Sequence, residues 1–299
     1  MDVVGLGYCN WDYLGIVDRI PEFDAPVRDM ADFLEAGGGP VATALVALAR
    51  LGVRTGHLGV LGDDEPGSKI RRALEEEGVD VCRLRVQHGA RSKVSLVLVE
   101  AATGRRSIVC YRGTHDELRL QDGDREYVTA ARFLHLDGNQ MGAAITAAHW
   151  MREAGGTVVL DANKPRAHLD ELLPLVDVLI TNSTFPEAYT GHENLSRAQH
   201  ELMGAGSSMI VTTLGEDGCV CRTADSCVRV PGFAVDVVDT TGAGDAFHGG
   251  FIYGLLRGWR VRRSARFAGA VAALSCTALG GRSALPRLQD VEAFLAGRS

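Results

Sequence analysis

Between residues 133 and 213 short apolar runs alternate with segments of helical period, and this alternation restricts the fold more than any other feature. Phe133–Leu136, Thr157–Leu160, Val178–Thr181 and Met209–Thr213 carry apolar residues at successive as well as alternate positions. Such strands need cover on both faces. The intervening Gly142–Ala154 and Ser196–Gly204 have the spacing and length of crossover helices. A parallel sheet with helices on both faces is the expected core. Val3–Gly7 and Thr55–Leu61 add strands, and residues 41–51 are apolar nearly all round, which predicts a deeply buried helix. Gly67–Glu77, 246–257, 261–275 and 288–296 read as further helices, and Gly218–Arg222 with Cys227–Val230 as a hairpin. Weak alternation over Tyr13–Ile20, and two strands meeting at Thr103-Gly104, predict a small antiparallel excursion at about 9–20 and 92–112. With no repeat, linker or low-complexity tract, residues 1–299 read as one α/β domain.

Composition narrows the partners. A net charge of −7 and no basic run give no surface for nucleic acid or an anionic membrane. No apolar run approaches the roughly 20 residues that span a bilayer, and the start Met1-Asp2-Val3-Val4-Gly5 lacks the basic region of a signal peptide. The seven cysteines are odd in number, with no Cys-x-x-Cys pair. Buried free thiols in a reducing cytoplasm are expected. None of the three lysines follows a glycine, so a P-loop is excluded.

The chemistry concentrates in Asp239-Thr240-Thr241-Gly242-Ala243-Gly244-Asp245, which leads into a small-residue helix. Amides at a helix N-terminus lack partners and favour an anion, and glycines allow close approach. A carboxylate beside an anion site repels phosphate unless it has a second task. Asp245 fits a base that takes a proton from an attacking hydroxyl, while Gly242, Ala243 and Gly244 hold the transferred phosphoryl charge. A glycine turn with a dipole-complementing Asp is the plainer alternative. Asp12, Gly37–Gly39, Asp137, Asp161, Asn182 and Gly215 fall after expected strands or before helices, where α/β sheets collect ligands.

The whole string, followed by Gly249 and Gly250, resembles the C-terminal signature of the PfkB/ribokinase family of carbohydrate kinases. Gly37-Gly38-Gly39-Pro40 before a small-residue helix is similar to that family's N-terminal signature. Many members carry Asn where this chain has Ala42, so ribose or fructose specificity does not carry over. The resemblance, from residue 3 to about 286, implies a ribokinase-like three-layer sandwich: a mostly parallel sheet, helices on both faces and a small antiparallel β lid. It implies ATP and Mg²⁺ as cofactors, phosphoryl transfer to a primary hydroxyl of a small carbohydrate, and a homodimer formed through the lid.

By position, the resemblance assigns Asp12, Gly38 and Gly39 to the sugar, and Asp137, after a strand end, reads as a second sugar contact. Arg112, Arg91, Lys164 and Arg166, which match no family residue one by one, are the candidates for pairing an anionic sugar. Trp11 and Tyr13 either stack on the sugar or pack the lid. Asn182, Thr213, Gly215, Gly218 and Gly281 fall at nucleotide positions. Asn182 opens a motif similar to the family's Asn-x-x-Glu, but Phe185 holds the Glu position, leaving Glu187 as the candidate for magnesium. Asp239, Thr241 and Ser283 sit where some relatives bind a monovalent cation such as K⁺. His248 reads as a packed structural histidine. The tail is similar to the subgroup containing sulfofructose kinase. A nucleoside kinase of the same fold and a sugar-binding sensor without turnover are the alternatives.

Overall fold

The computed structural model describes residues 1–298. In chain order its strands are β1 (Val3–Leu6), β2 (Asn10–Val17), β3 (Asp32–Gly38), β4 (Thr55–Gly62), β5 (Leu84–Gln87), β6 (Val94–Glu100), β7 (Arg106–Tyr111), β8 (Phe133–Leu136), β9 (Thr157–Ala162), β10 (Val178–Thr181), β11 (Met209–Thr213), β12 (Cys219–Thr223) and β13 (Cys227–Val230). The helices are α1 (Pro40–Arg50), α2 (Glu65–Glu76), α3 (Asp124–Thr129), α4 (Met141–Glu153), α5 (Leu169–Leu172), α6 (Phe185–Thr190), α7 (Leu195–Gly204), α8 (Ala243–Leu256), α9 (Val261–Ser275) and α10 (Leu288–Ala296).

The main sheet has nine strands in the order β13-β12-β11-β10-β9-β8-β1-β4-β5. From β11 to β5 every pairing is parallel, and β12 and β13 add an antiparallel edge. The apolar runs divide residue by residue between two cores. Val159, Val178, Ile180 and Val211 face α1, α2, α8, α9 and α10, while Val158, Leu160, Leu179 and Ile210 face α3 to α7. This is the three-layer sandwich expected, and the strand period of two is its cause.

Helix α8 is rich in small residues because it crosses its neighbours closely. A Cβ on Gly249 would lie 2.8 Å from the Ala47 Cβ of α1, and one on Gly250 would lie 2.8 Å from the Ala268 Cα of α9. The helix starts at Ala243, three residues earlier than the sequence suggested, with Gly242 as N-cap at φ 73°.

A second sheet has four strands in the order β3-β2-β6-β7. Its outer pairings are antiparallel, but the central β2–β6 pairing is parallel. Leu14, Val97, Val99 and Leu279 form its own small core. The sequence reading had three of its four strands and missed β3, because Gly37–Gly39 read only as an approach to α1. Strand β5 and the helices α3, α5 and α6 span four or six residues each, and were also missed. Cys82, Cys110 and Cys227 are exposed, contrary to the expectation of buried thiols.

Candidate active site

At the carboxyl ends of the parallel strands two cavities share a wall. One, of about 440 Å³, is lined by the inner face of the small sheet and by Asp245. The other, of about 560 Å³, lies over Phe247 of α8 and is lined also by α9 and the loops after β11 and β13. Thr213 and Gly244 line both.

The N-terminus of α8 forms that wall. The Ala243 amide turns back to the Thr240 carbonyl at 3.3 Å, whereas among the described residues no partner closes on the amides of Gly242, Gly244 and Asp245. The free donors are thus shifted from the expected set of Gly242, Ala243 and Gly244. Burial pushes the Asp245 carboxyl up to about 7; Arg106 and Arg282 pull against it, and Asp137 and Asp12 push with it. Arg106 reaches from β7 across to the Thr240 hydroxyl, which brings a cation from the small sheet over the anion loop. Sequence reasoning missed Arg106, whose exposed β-edge position carries no local signal.

Asp12, on β2, is buried, and burial raises its carboxyl to about 6. It accepts from the Asn10 amide, which also donates to the Ser95 hydroxyl at 3.1 Å. Gly38 has no side chain because a Cβ there would clash with the Asp12 carboxylate. Gly39 lines the same cavity at φ 99°, where a Cβ would come within 2.5 Å of the Tyr8 carbonyl. Behind these glycines lies Arg282, also missed as a site residue. It is buried, donates to the Gly38 carbonyl at 2.7 Å and to the Thr43 hydroxyl at 3.2 Å, and leaves Nη1 unpartnered. Burial holds its guanidinium down, to about 10.

Asp161 and His248 line the cavity 3.6 Å apart. Burial, then the charges of Asp245 and Asp137, raises the Asp161 carboxyl well above the usual range. Burial, then His135, lowers the His248 imidazole well below its own. His248 is thus a wall of the site, not only the packed residue read from the sequence.

Asp137 sits at the base of the region with both oxygens occupied, by the Tyr8 amide at 2.8 Å and the Asn139 amide at 2.9 Å. Arg112 is exposed at the end of β7. Trp11 and Tyr13 lie on the face of β2 opposite Asp12, and the Trp11 indole donates to Glu35 at 2.9 Å; they pack the small sheet.

Thr213, Gly215 and Gly218 line the second cavity, while Asn182 lines the first. The Asn182 side-chain oxygen accepts the Phe185 amide at 2.9 Å and so ties down the start of α6. Gly281 is buried behind the anion loop, its Cα 2.8 Å from where a Gly242 Cβ would stand. Glu187 is exposed on α6 and lines neither cavity. No cluster of three metal-binding side chains occurs among the described residues. Asp239 accepts the Thr241 amide at 2.8 Å and the Gly280 amide at 2.9 Å, clasping two loops; Thr241 Oγ1 is buried without a partner, and Ser283 is exposed nearby.

The profile of the pfkB family carbohydrate kinases matches residues 1–288. The chain belongs to the pfkB family of carbohydrate kinases. An ATP-dependent ribose-1-phosphate kinase of Halopiger xanaduensis is 34% identical over 99% of this chain and 98% of its own. An aminoimidazole riboside kinase of Salmonella typhimurium is 31% identical over 95% of this chain and 93% of its own. Among solved structures, Arabidopsis thaliana ribokinase complexed with ribose and ATP superposes with a TM-score of 0.85, at 26% identity, over 98% of both chains. The pfkB-family chain is an ATP-dependent phosphotransferase, with the ribokinase-like fold read from its sequence.

Proposed function

We propose that this kinase transfers the γ-phosphoryl group of ATP to a primary hydroxyl of a small carbohydrate held under the small sheet, with Asp245 as general base. The observation that carries the reading is the shared wall: Asp245, the free amides of α8 and both cavities meet at Gly244. The acceptor hydroxyl loses its proton to the Asp245 carboxylate as its oxygen bonds to the γ-phosphorus. The bond to the bridging oxygen breaks and ADP leaves. Arg106 and the amides of Gly242, Gly244 and Asp245 meet the charge on the moving group. Asp12 and Asn10 read sugar hydroxyls, since a carboxylate accepts two hydrogen bonds. Gly38 and Gly39 leave room for them. Asp137 acts through the loop that it clamps. Thr213, Gly215 and Gly218 flank the nucleotide, Asn182 shapes the wall between the cavities, and Gly281 backs the anion loop.

Magnesium, when bound with ATP, neutralises phosphate charge. Asp161 and Asn182 are among the oxygen donors that line the cavity, and would suit an ion held mainly by phosphates and water. Glu187 lies outside this arrangement. Asp239, the unpartnered Thr241 hydroxyl and Ser283 offer oxygens to a monovalent cation such as K⁺. The small sheet serves as the lid that keeps water from ATP, and its apolar outer face pairs two chains. Use of ATP and seven free thiols suit a cytoplasmic enzyme.

The test is ADP formation with a panel of sugars, sugar phosphates and nucleosides, repeated with Asp245→Asn. The variant should lose about 10²–10⁴-fold in kcat while still binding ATP; near-normal turnover would overturn the assignment. The same panel decides the second reading, a nucleoside kinase, which the resemblance to the riboside kinase favours.

A further inference from the structure

Several cations in this protein close ion pairs: Arg50 with Glu77 at 2.6 Å, Arg54 with Asp2 at 3.0 Å, Arg152 with Asp177 at 2.7 Å, and Lys69 with Glu35 at 2.7 Å. Lys93, Arg112 and Arg166 do not. None of them joins an ion pair among the described residues. Lys93 is half-buried in the wall of the acceptor cavity, with its ammonium over the Tyr8 ring at 4.2 Å from the centroid. Arg166 packs along Gly138 and lies 3.4 Å from the side-chain oxygen of Asn163, another wall residue. In a chain of net charge −7, unpaired cations gathered at one rim need a reason.

We infer that the acceptor is a sugar carrying a phosphate ester, held by Lys93, Arg112 and Arg166 at the end of the cavity away from Asp245. This rests on the kinase reading above. Arg106 and Arg282 bear on Asp245, whereas Arg112 and Arg166 bear on Lys93. The carboxylates on the Lys93 side close no ion pair with it: both Asp137 oxygens accept backbone amides, and Glu117 is exposed to solvent. Burial lowers the Lys93 ammonium, and Arg112 and Arg166 lower it further, against the pull of Cys110 and Asp137. A bound dianion reverses that penalty. A phosphate ester is close to doubly charged at neutral pH, which matches three cations better than a singly charged sulfonate or carboxylate. Guanidinium forks and an ammonium are also the donors that suit tetrahedral oxyanions.

The experiment compares kcat/KM with MgATP for ribose against ribose 1-phosphate, and fructose against fructose 1-phosphate, with a sulfonated fructose as a further arm. Each ester should exceed its parent sugar by about 100-fold or more, the effect of one or two charge-assisted hydrogen bonds. Lys93→Met should shrink that ratio about tenfold or more, and Lys93→Arg should restore most of it. Arg112→Met, at an exposed site that does not threaten folding, should shrink the ratio several-fold and weaken its salt dependence. Parent sugars used as well as their esters would overturn the inference, as would a ratio untouched by both methionine variants. A preference for the sulfonated sugar would overturn the phosphate assignment. In each of these cases turnover persists and the kinase reading stands. No ADP from any acceptor would sink that reading and this inference together.

Discussion

The carboxyl proposed as the base sits more comfortably in the fold when it is neutral. Asp245 and Asp12 bind protons more tightly in the folded chain, at about 7 and about 6, than in an unfolded one, at about 3.9. Their favourable contribution is therefore complete below pH of about 4 and is lost as pH rises through 6 and 7. Two expectations follow. In the free enzyme kcat/KM should climb with pH through about 7 as Asp245 ionises, and a profile flat from pH 5 to 8 would remove it as the base. Asp245→Asn should also raise the melting temperature of the ligand-free protein at pH 8, by the equivalent of up to about 4 kcal/mol, with the gain shrinking to roughly 1–2 kcal/mol at pH 5 and vanishing below pH of about 4, where the acid is neutral in both states. Asp245 was legible in the sequence because its neighbours, Gly242 to Gly244, are a local signal for a helix N-terminus. Arg106, Arg282 and Lys93 were not legible in their roles, since each reaches the site from an element distant in sequence.

Elements show the same division. The strands β8, β10 and β11 matched their apolar runs residue for residue, because burial on both faces demands an unbroken run. Strand β3 was hidden, since Asp32 and Phe33 are exposed and its last two residues are glycines. Those glycines answer to Asp12 and Arg282, which no local reading of residues 37–39 can supply. In α8 the small residues are set by helix contact. Gly250→Leu would drive its side chain into Ala268 and Val271, and overpacking of this kind costs about 1–3 kcal/mol or more. The expected result is a lower melting midpoint in urea, with an unchanged m-value and loss of activity that tracks the loss of folded protein. A variant as stable as the native chain would mean that α8 and α9 are not packed as closely as the structure has them.

At the scale of the whole molecule, the outer face of the small sheet is the feature that lacks a partner. Phe33 is 55% exposed, Leu96 58% and Val109 68%, all facing away from the cavity, and apolar groups so clustered mark an interface. The chain of 31.9 kDa should sediment as a dimer at micromolar concentration, and Val109→Asp should shift it to monomer; a native chain that is monomeric throughout would exclude pairing through this face. The sequence alone determined the layered α/β architecture and the candidate catalytic loop, because period-two burial and helix-terminal amides are local properties, written in consecutive residues. It could not determine the cation groups around the proposed acceptor cavity, the burial that lifts Asp245, or which candidate residues line a cavity and which brace its loops. Those depend on which residues from 8 to 282 come within a few ångströms of one another, and only the closing of the tertiary fold decides that.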